Sequence, residues 1–193
     1  KSVSYGEGSY QEIGYYPLSK VHSVKELNEF QWPSADWWNC DGLKESIKSI
    51  NHEKEYAVMA AGANIFESTW YMRGFEQSFM DLMTEPDFIW EILTRVTDYF
   101  IAYYKKILEA ADGGIDIVFT ADDIGQQQGL LMSLGLWESM IKPHHMRLNK
   151  ALHEYGVKIM YHTDGAIMEA VPGLIDMGID ILEALQFDAK GMD

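Results

Sequence analysis

Cys40 is the only cysteine in the 193 residues. No intrachain disulfide can form, which fits a reducing compartment, and the cytoplasm is the expected location. Arginine is nearly as scarce: Arg73, Arg95 and Arg147 are the only three. A polyanionic ligand would find few bidentate partners among them. No apolar run reaches the roughly 18 residues that a membrane-spanning helix needs. The N-terminus lacks the basic-then-apolar pattern of a signal peptide. Internal repeats and low-complexity tracts are missing as well. So is an initiating methionine: the chain opens Lys1-Ser2-Val3-Ser4-Tyr5, and it is expected to be a piece of a longer protein.

Acids, by contrast, are abundant. Thirty Asp and Glu against fifteen Lys and Arg give a formal net charge of −15. That balance disfavours nucleic acid and anionic membrane surfaces as partners, since both require basic neutralisation. Hydrophobic residues make up 47 % and charged residues 23 %, proportions that support a packed core in a single domain.

Residues 1–20, rich in Tyr, Gly and Ser, predict a loop or short hairpin. Ser23 to Phe30 predicts a short helix with Ser23 as N-cap and Glu26 at the capping-box position, ended by Trp32-Pro33. Asp41 to Lys54 suggests a short amphipathic helix. From there strand and helix signals alternate. Strands are expected near 57–61, 115–120, 157–161 and 179–183. Thr84-Glu85-Pro86-Asp87 predicts a helix start with Thr84 as N-cap, and apolar residues then recur helically from Ile89 to Leu108 until Gly113-Gly114. Pro143 opens another helix that stops at Gly156, and a further one is expected over Ile167 to Met177, before Gly178.

Strand–helix alternation at intervals of roughly 20–45 residues calls for parallel strands joined by helical crossovers. The fold class is therefore α/β. A TIM-type (β/α)8 barrel needs eight strands and about 250 residues. Four strands predict part of such a barrel, residues 56–193 carrying consecutive βα units behind an N-terminal segment over 1–55; an open doubly wound sheet is the alternative. Half a barrel would expose strand edges and an apolar face, so it is expected either to continue beyond residue 193 or to pair, as in a homodimer.

Active sites of parallel α/β folds lie at the C-terminal ends of the strands. Those ends carry Asn64, Glu67 and Tyr71, then Asp122 and Asp123, then His162 and Asp164, then Glu183 and Gln186. Carboxylates, a histidine and amides thus collect on one rim while the strand bodies are apolar. His162 and Asp164 stand at i, i+2, which places both side chains on one face of a strand. Blander readings exist: Asp122-Asp123 could cap a loop, and Asp164-Gly165 could be a plain βα turn. Of His144 and His145, one is expected to face solvent. Gly125 to Gly129 lacks the spacing and the lysine of a phosphate loop, and no nucleophile elbow is present.

In order and spacing these segments resemble the uroporphyrinogen decarboxylase superfamily. The resemblance rests on Gly62-Ala63 to Tyr71-Met72-x-Gly74, Phe119-x-x-Asp122-Asp123-x-Gly125, the Pro143 helix, Ile159 to Gly165, and Leu182 to Asp193. Pro17-Leu18 and Trp32-Pro33-x-x-Asp36 extend it loosely toward the N-terminus. It implies a TIM barrel and one of two chemistries. One branch decarboxylates uroporphyrinogen in porphyrin biosynthesis without a cofactor, and Tyr71 falls where those enzymes carry an active-site tyrosine. The other branch moves methyl groups to or from a corrinoid protein, often with zinc. His162 falls on the histidine of that branch's His-x-Cys zinc motif, with Asp164 in place of the cysteine.

The arginine-rich N-terminal signature of the decarboxylases is absent, so the methyltransferase-like branch is the closer one. It implies zinc held by His162 and Asp164, with Asp122, Asp123 or Glu183 completing or orienting the shell and Tyr71 among the catalytic groups. Asn64, Glu67 and Gln186 would contact a small O- or N-methyl substrate, and a corrinoid protein would be the partner. A decarboxylase, or a barrel that binds a ligand without catalysis, is the alternative.

Overall fold

The computed structural model describes residues 1–5, 8–11 and 13–193. The chain opens with an antiparallel hairpin of β1 (Ser2–Tyr5) and β2 (Gly8–Gln11). Residues 6, 7 and 12 of the expected loop or hairpin lie outside the described residues. α1 (Val24–Glu29) starts as foreseen, with the Ser23 hydroxyl accepting the Glu26 N–H at 3.3 Å. The return bond differs from a standard capping box: the Glu26 carboxylate takes the N–H of His22, at 2.7 Å, rather than that of the cap residue. The Trp32 indole N–H closes the helix by donating to the Leu27 carbonyl at 2.9 Å. α2 (Leu43–Ile50) is shorter than the expected 41–54.

The next elements follow in sequence. β3 (Met59–Asn64) leads into α3 (Ile65–Arg73), α4 (Phe75–Thr84) and the long α5 (Pro86–Ala111). β4 (Ile117–Ala121) is followed by a small hairpin of β5 (Gly125–Gln126) and β6 (Gly129–Leu130), then α6 (Leu134–Met140) and α7 (Lys142–His153). β7 (Lys158–His162), α8 (Val171–Asp176) and β8 (Ile181–Glu183) complete it. The sheet order is β3-β4-β7-β8 and every neighbouring pair is parallel. All four expected strands are present, each starting a residue or two late. This is a segment of a TIM-type α/β barrel, and no helix among the described residues is long and apolar enough to cross a membrane.

The late starts have a cause. Asp116 and Asp180 sit just before their strands and tie the N-terminal ends together. The Asp116 carboxylate accepts the Val58 N–H at 2.8 Å. Asp180 accepts the Ile159 N–H at 2.9 Å and the Lys158 ammonium at 2.8 Å, and pairs with the His153 ring at 2.9 Å. Desolvation pushes the Asp180 carboxyl up, but Lys158, His153 and the Ile159 N–H together hold it well below the usual range.

Two expectations need correction. Thr84 is not an N-cap: it is the last residue of α4, and its hydroxyl donates to the Met80 carbonyl at 3.0 Å. Glu85 occupies the junction, and Pro86 begins α5, where its missing N–H costs nothing. Nor does either of His144 and His145 face solvent; they are 1 % and 0 % exposed. α3, α4 and α6 were not foreseen.

Strand alternation divides the sheet into two faces. Val118, Ile159 and Tyr161 are fully buried in one cluster with Ile92, Leu93, Leu148 and Leu152 of the covering helices. The intervening residues Met59, Phe119, Met160 and Ile181 are only partly covered or exposed. These are the positions that line the interior of a parallel barrel.

Candidate active site

The functional side chains follow from strand parity and register. His162, the last residue of β7, is the cross-strand partner of Ala121 on β4 and of Glu183 on β8. Asp164 lies two residues beyond His162, and Asp123 two beyond Ala121. All four therefore project from the interior face at its C-terminal rim.

The contacts bear this out. Glu183 Oε2 is 2.6 Å from His162 Nδ1. A carboxylate can only accept, so Nδ1 carries the proton of this contact, and Nε2 is the ring nitrogen that faces the other side. There Nε2 lies 3.8 Å from Asp123 Oδ1 and 3.9 Å from Asp164 Oδ2. One ligand atom from each of Asp123, His162 and Asp164 lies within 4.8 Å of the others. Bonds of about 2.0–2.2 Å in a tetrahedral zinc site put ligand atoms roughly 3.4 Å apart, somewhat closer than the 3.8 and 3.9 Å from His162 Nε2 to the two acids, so the side chains would draw together around an ion. Their nitrogen and oxygen donors are ordinary zinc ligands, and the group fits. All three side chains remain partly open to solvent, from 27 % at His162 to 55 % at Asp164.

A second layer holds the first. Glu67, only 9 % exposed, accepts the Asp123 N–H with Oε1 at 3.2 Å. Its Oε2 accepts from the Asn64 amide at 2.7 Å and from the Tyr71 hydroxyl at 3.3 Å. Burial, followed by the negative charge of Glu67, pushes the Tyr71 phenol up. Gln186 accepts the Gly165 N–H at 3.0 Å and so steadies the turn after β7. Asn64, Glu67 and Gln186, expected as substrate contacts, thus have these polar groups engaged within the protein and shape the backbone around the acids.

Asp122 is a correction. It was expected beside Asp123 on the rim, but it is fully buried on the helix side, in phase with Val118 and Thr120. Its Oδ2 accepts the Phe66 N–H at 2.8 Å and its Oδ1 accepts the Glu67 N–H at 2.8 Å. It therefore satisfies orphan donors at the start of α3, where the helix dipole favours an anion. The His145 Nε2 lies 2.6 Å from Oδ2, and the Tyr161 hydroxyl donates to the Asp122 carbonyl at 3.3 Å. His145 carried no local signal: its partner lies 23 residues away, and only the folded sheet brings them together.

The loops that carry Asp123 and Asp164 interlock through two glycines. A Cβ on Gly125 would lie 2.5 Å from the Asp164 carbonyl oxygen, and one on Gly165 would lie 2.5 Å from the Gln126 nitrogen. Gly165 also has φ +90°, which side chains rarely adopt. The Ala166 N–H then donates to the Gln126 carbonyl at 3.0 Å, sealing the crossing.

No arginine reaches the rim. Arg73 is buried against Asp81 at 2.7 Å and against the Leu18 and Val21 carbonyls. Arg95 binds Glu91 and the Leu27 carbonyl, and Arg147 pairs with Asp98 on the surface.

Known proteins agree with this architecture. The sequence profile described as uroporphyrinogen decarboxylase (URO-D) matches residues 2–189. A solved methyltransferase from Methanosarcina mazei is similar in fold, with a TM-score of 0.59 at 17 % sequence identity; the match covers 72 % of this chain and 40 % of that one. The match thus spans about two fifths of the length of that enzyme. A comparison with curated proteins finds no match. With a profile match along nearly its whole length, the chain belongs to the uroporphyrinogen decarboxylase (URO-D) family.

Proposed function

We propose that this chain carries the metal-binding rim of a methyltransferase that moves a methyl group from a small O- or N-methyl substrate to a corrinoid protein. The observation that carries this reading is the cluster of Asp123, His162 and Asp164, with Glu183 bound to the far side of His162. The similarity in fold to the Methanosarcina mazei methyltransferase is consistent with it.

His162 Nε2, Asp123 Oδ1 and Asp164 Oδ2 would hold zinc, and bound zinc would supply Lewis acidity toward the heteroatom that bears the methyl group. Three protein ligands would leave the metal open to that atom. One imidazole and two carboxylates withdraw less positive charge from the metal than thiolates do, which suits a poor leaving group. Glu183 fixes the His162 tautomer and raises its basicity as a ligand. Glu67 holds the Asp123 backbone and Tyr71, so the acid keeps its direction. In the reaction an electron pair from the Co(I) of the corrinoid acceptor would form the new bond to the methyl carbon as the bond from that carbon to oxygen or nitrogen breaks and leaves its pair on the heteroatom.

Decarboxylation of a uroporphyrinogen fits this chain less well. That substrate carries eight carboxylates, while all three arginines are committed to other partners.

The test is methyl transfer to cob(I)alamin, followed by its visible absorbance, from a panel of methyl ethers and methylamines. The reading expects turnover that is lost in His162→Ala and on chelation. Turnover of uroporphyrinogen with none of the methyl donors active would overturn it.

A further inference from the structure

The His162 ring must be held in two ways before Nε2 can keep facing Asp123 and Asp164. One hold is a point: Glu183 Oε2 meets Nδ1 at 2.6 Å. A single hydrogen bond fixes where that nitrogen sits but leaves the ring plane free to tilt about it. Rotamer preference does not fix the plane either, because the torsion that turns an imidazole about its Cβ–Cγ bond is broad. A tilt would carry Nε2 out of line with the two acids, which lie 3.8 and 3.9 Å from it.

The second hold comes from the layer below. Strand register places Phe119 on β4 beside Met160 on β7, and Met160 beside Ile181 on β8. Met160 and Ile181 stand two residues before His162 and Glu183, so this layer is the floor under the metal cluster. The floor is apolar, and within it Phe119 alone has a flat face. Its ring lies 5.9 Å from the His162 ring, centroid to centroid, with 31° between the planes. That separation falls within the roughly 4.5–7 Å range of paired rings. An imidazole that tilts toward the floor therefore meets the face of Phe119. Core packing does not account for the pair, since both side chains are only partly covered.

We propose that Phe119 is a positioning residue for the metal centre: its ring fixes the plane of the His162 imidazole while Glu183 fixes Nδ1. Phe119 acts through His162 and is not a ligand. The inference rests on the metal site proposed above.

Two measurements test it. In the metal-free wild type, nuclear Overhauser contacts are expected between the ring protons of Phe119 and those of His162, and their absence overturns the proposal whatever the variants do. With metal, zinc affinity is read by chelator competition, and ligand geometry by the visible bands of cobalt(II)-loaded protein. Phe119→Leu keeps an apolar side chain but loses the flat face. It is expected to weaken zinc by about three- to tenfold, less than the loss of a carboxylate behind a histidine ligand, and to shift the cobalt bands. Phe119→Tyr keeps the face and should stay near the wild type in both. Ile117→Ala, one layer further down the same strand face, should lower stability and move neither. The proposal is overturned if a folded Phe119→Leu matches the wild type in affinity and bands, if Phe119→Tyr behaves as Phe119→Leu does, or if Ile117→Ala shifts the bands as far. Should Phe119→Leu not fold, Phe119→Met takes its place under the same criteria. A wild type that binds neither zinc nor cobalt removes the metal site and the proposal with it. A wild type that binds both, beside variants that bind alike, removes the role of Phe119 and leaves the metal site standing.

Discussion

Asp122 and Asp123 are chain neighbours that serve opposite sides of the sheet. Asp122 is buried against the start of α3 and His145, while Asp123 stands on the open rim 3.8 Å from His162 Nε2. Strand alternation alone separates them, and their substitutions should separate as cleanly. Asp122→Ala strands two helix N–H groups and a buried histidine, and is expected to cost about 3–5 kcal/mol of stability. Asp123→Ala is partly exposed and should cost within about 1 kcal/mol, yet lose metal. Urea unfolding of both variants, beside zinc analysis, checks the contrast.

Glu183 touches the candidate metal site only through His162. Removing it should leave the fold intact and weaken zinc by about 10–100-fold, the usual cost of losing a carboxylate behind a histidine ligand. Glu183→Gln keeps an acceptor for Nδ1–H and should lose less than Glu183→Ala. Competition with a chromophoric zinc chelator measures both. Equal affinities in all three proteins would show that the 2.6 Å contact does not tune the ligand.

Much of this arrangement was legible in the sequence. The four strands announced themselves as apolar runs, and the i, i+2 spacing put His162 and Asp164 on one face. The opposite assignments of Asp122 and Asp123 were also readable, since Asp122 is in phase with buried Val118 and Thr120. The adjacency of two acids in a rim motif obscured that parity. α3 was missed because its apolar residues do not form a single stripe; its Phe66 and Trp70 pack on Phe75 and Phe79 of α4. Thr84 resembled an N-cap because a helix ended there as well as beginning after it. His145 had no local signal at all, because a tertiary contact between distant residues leaves no periodic trace.

His144 gives the protein an acid-sensitive element. It is buried against Trp90, with ring centroids 4.4 Å apart and neither ring nitrogen hydrogen-bonded. Burial, then the neighbouring His145 and Arg147, lower its pKa from 6.5 to about 4. The unfolded chain takes up this proton near 6.5 and the folded chain only near 4. Stability is therefore unaffected by this group above pH 6.5 and falls as pH drops from there toward 4, by up to about 3 kcal/mol. His144→Phe should flatten that slope between pH 6.5 and 4 in denaturant titrations. An unchanged slope would assign the acid sensitivity elsewhere.

The glycine crossing is expected to be intolerant. Gly165→Ala places a Cβ against backbone at 2.5 Å and on a φ of +90°, at a cost above about 2 kcal/mol. Because Gly165 follows Asp164 directly, the same change should reduce zinc binding. Thermal unfolding and zinc content of the variant report on the two effects separately.

The central claim is that Asp123, His162 and Asp164 form one metal site. Zinc stoichiometry tests it most directly, measured by plasma emission on protein purified with zinc present, with circular dichroism on the same samples. The account predicts about one zinc per chain in the wild type. It also predicts loss of that zinc in His162→Ala, Asp164→Ala and Asp123→Ala while each remains folded. A wild type that carries no zinc under those conditions, or three folded variants that all keep it, would contradict the account.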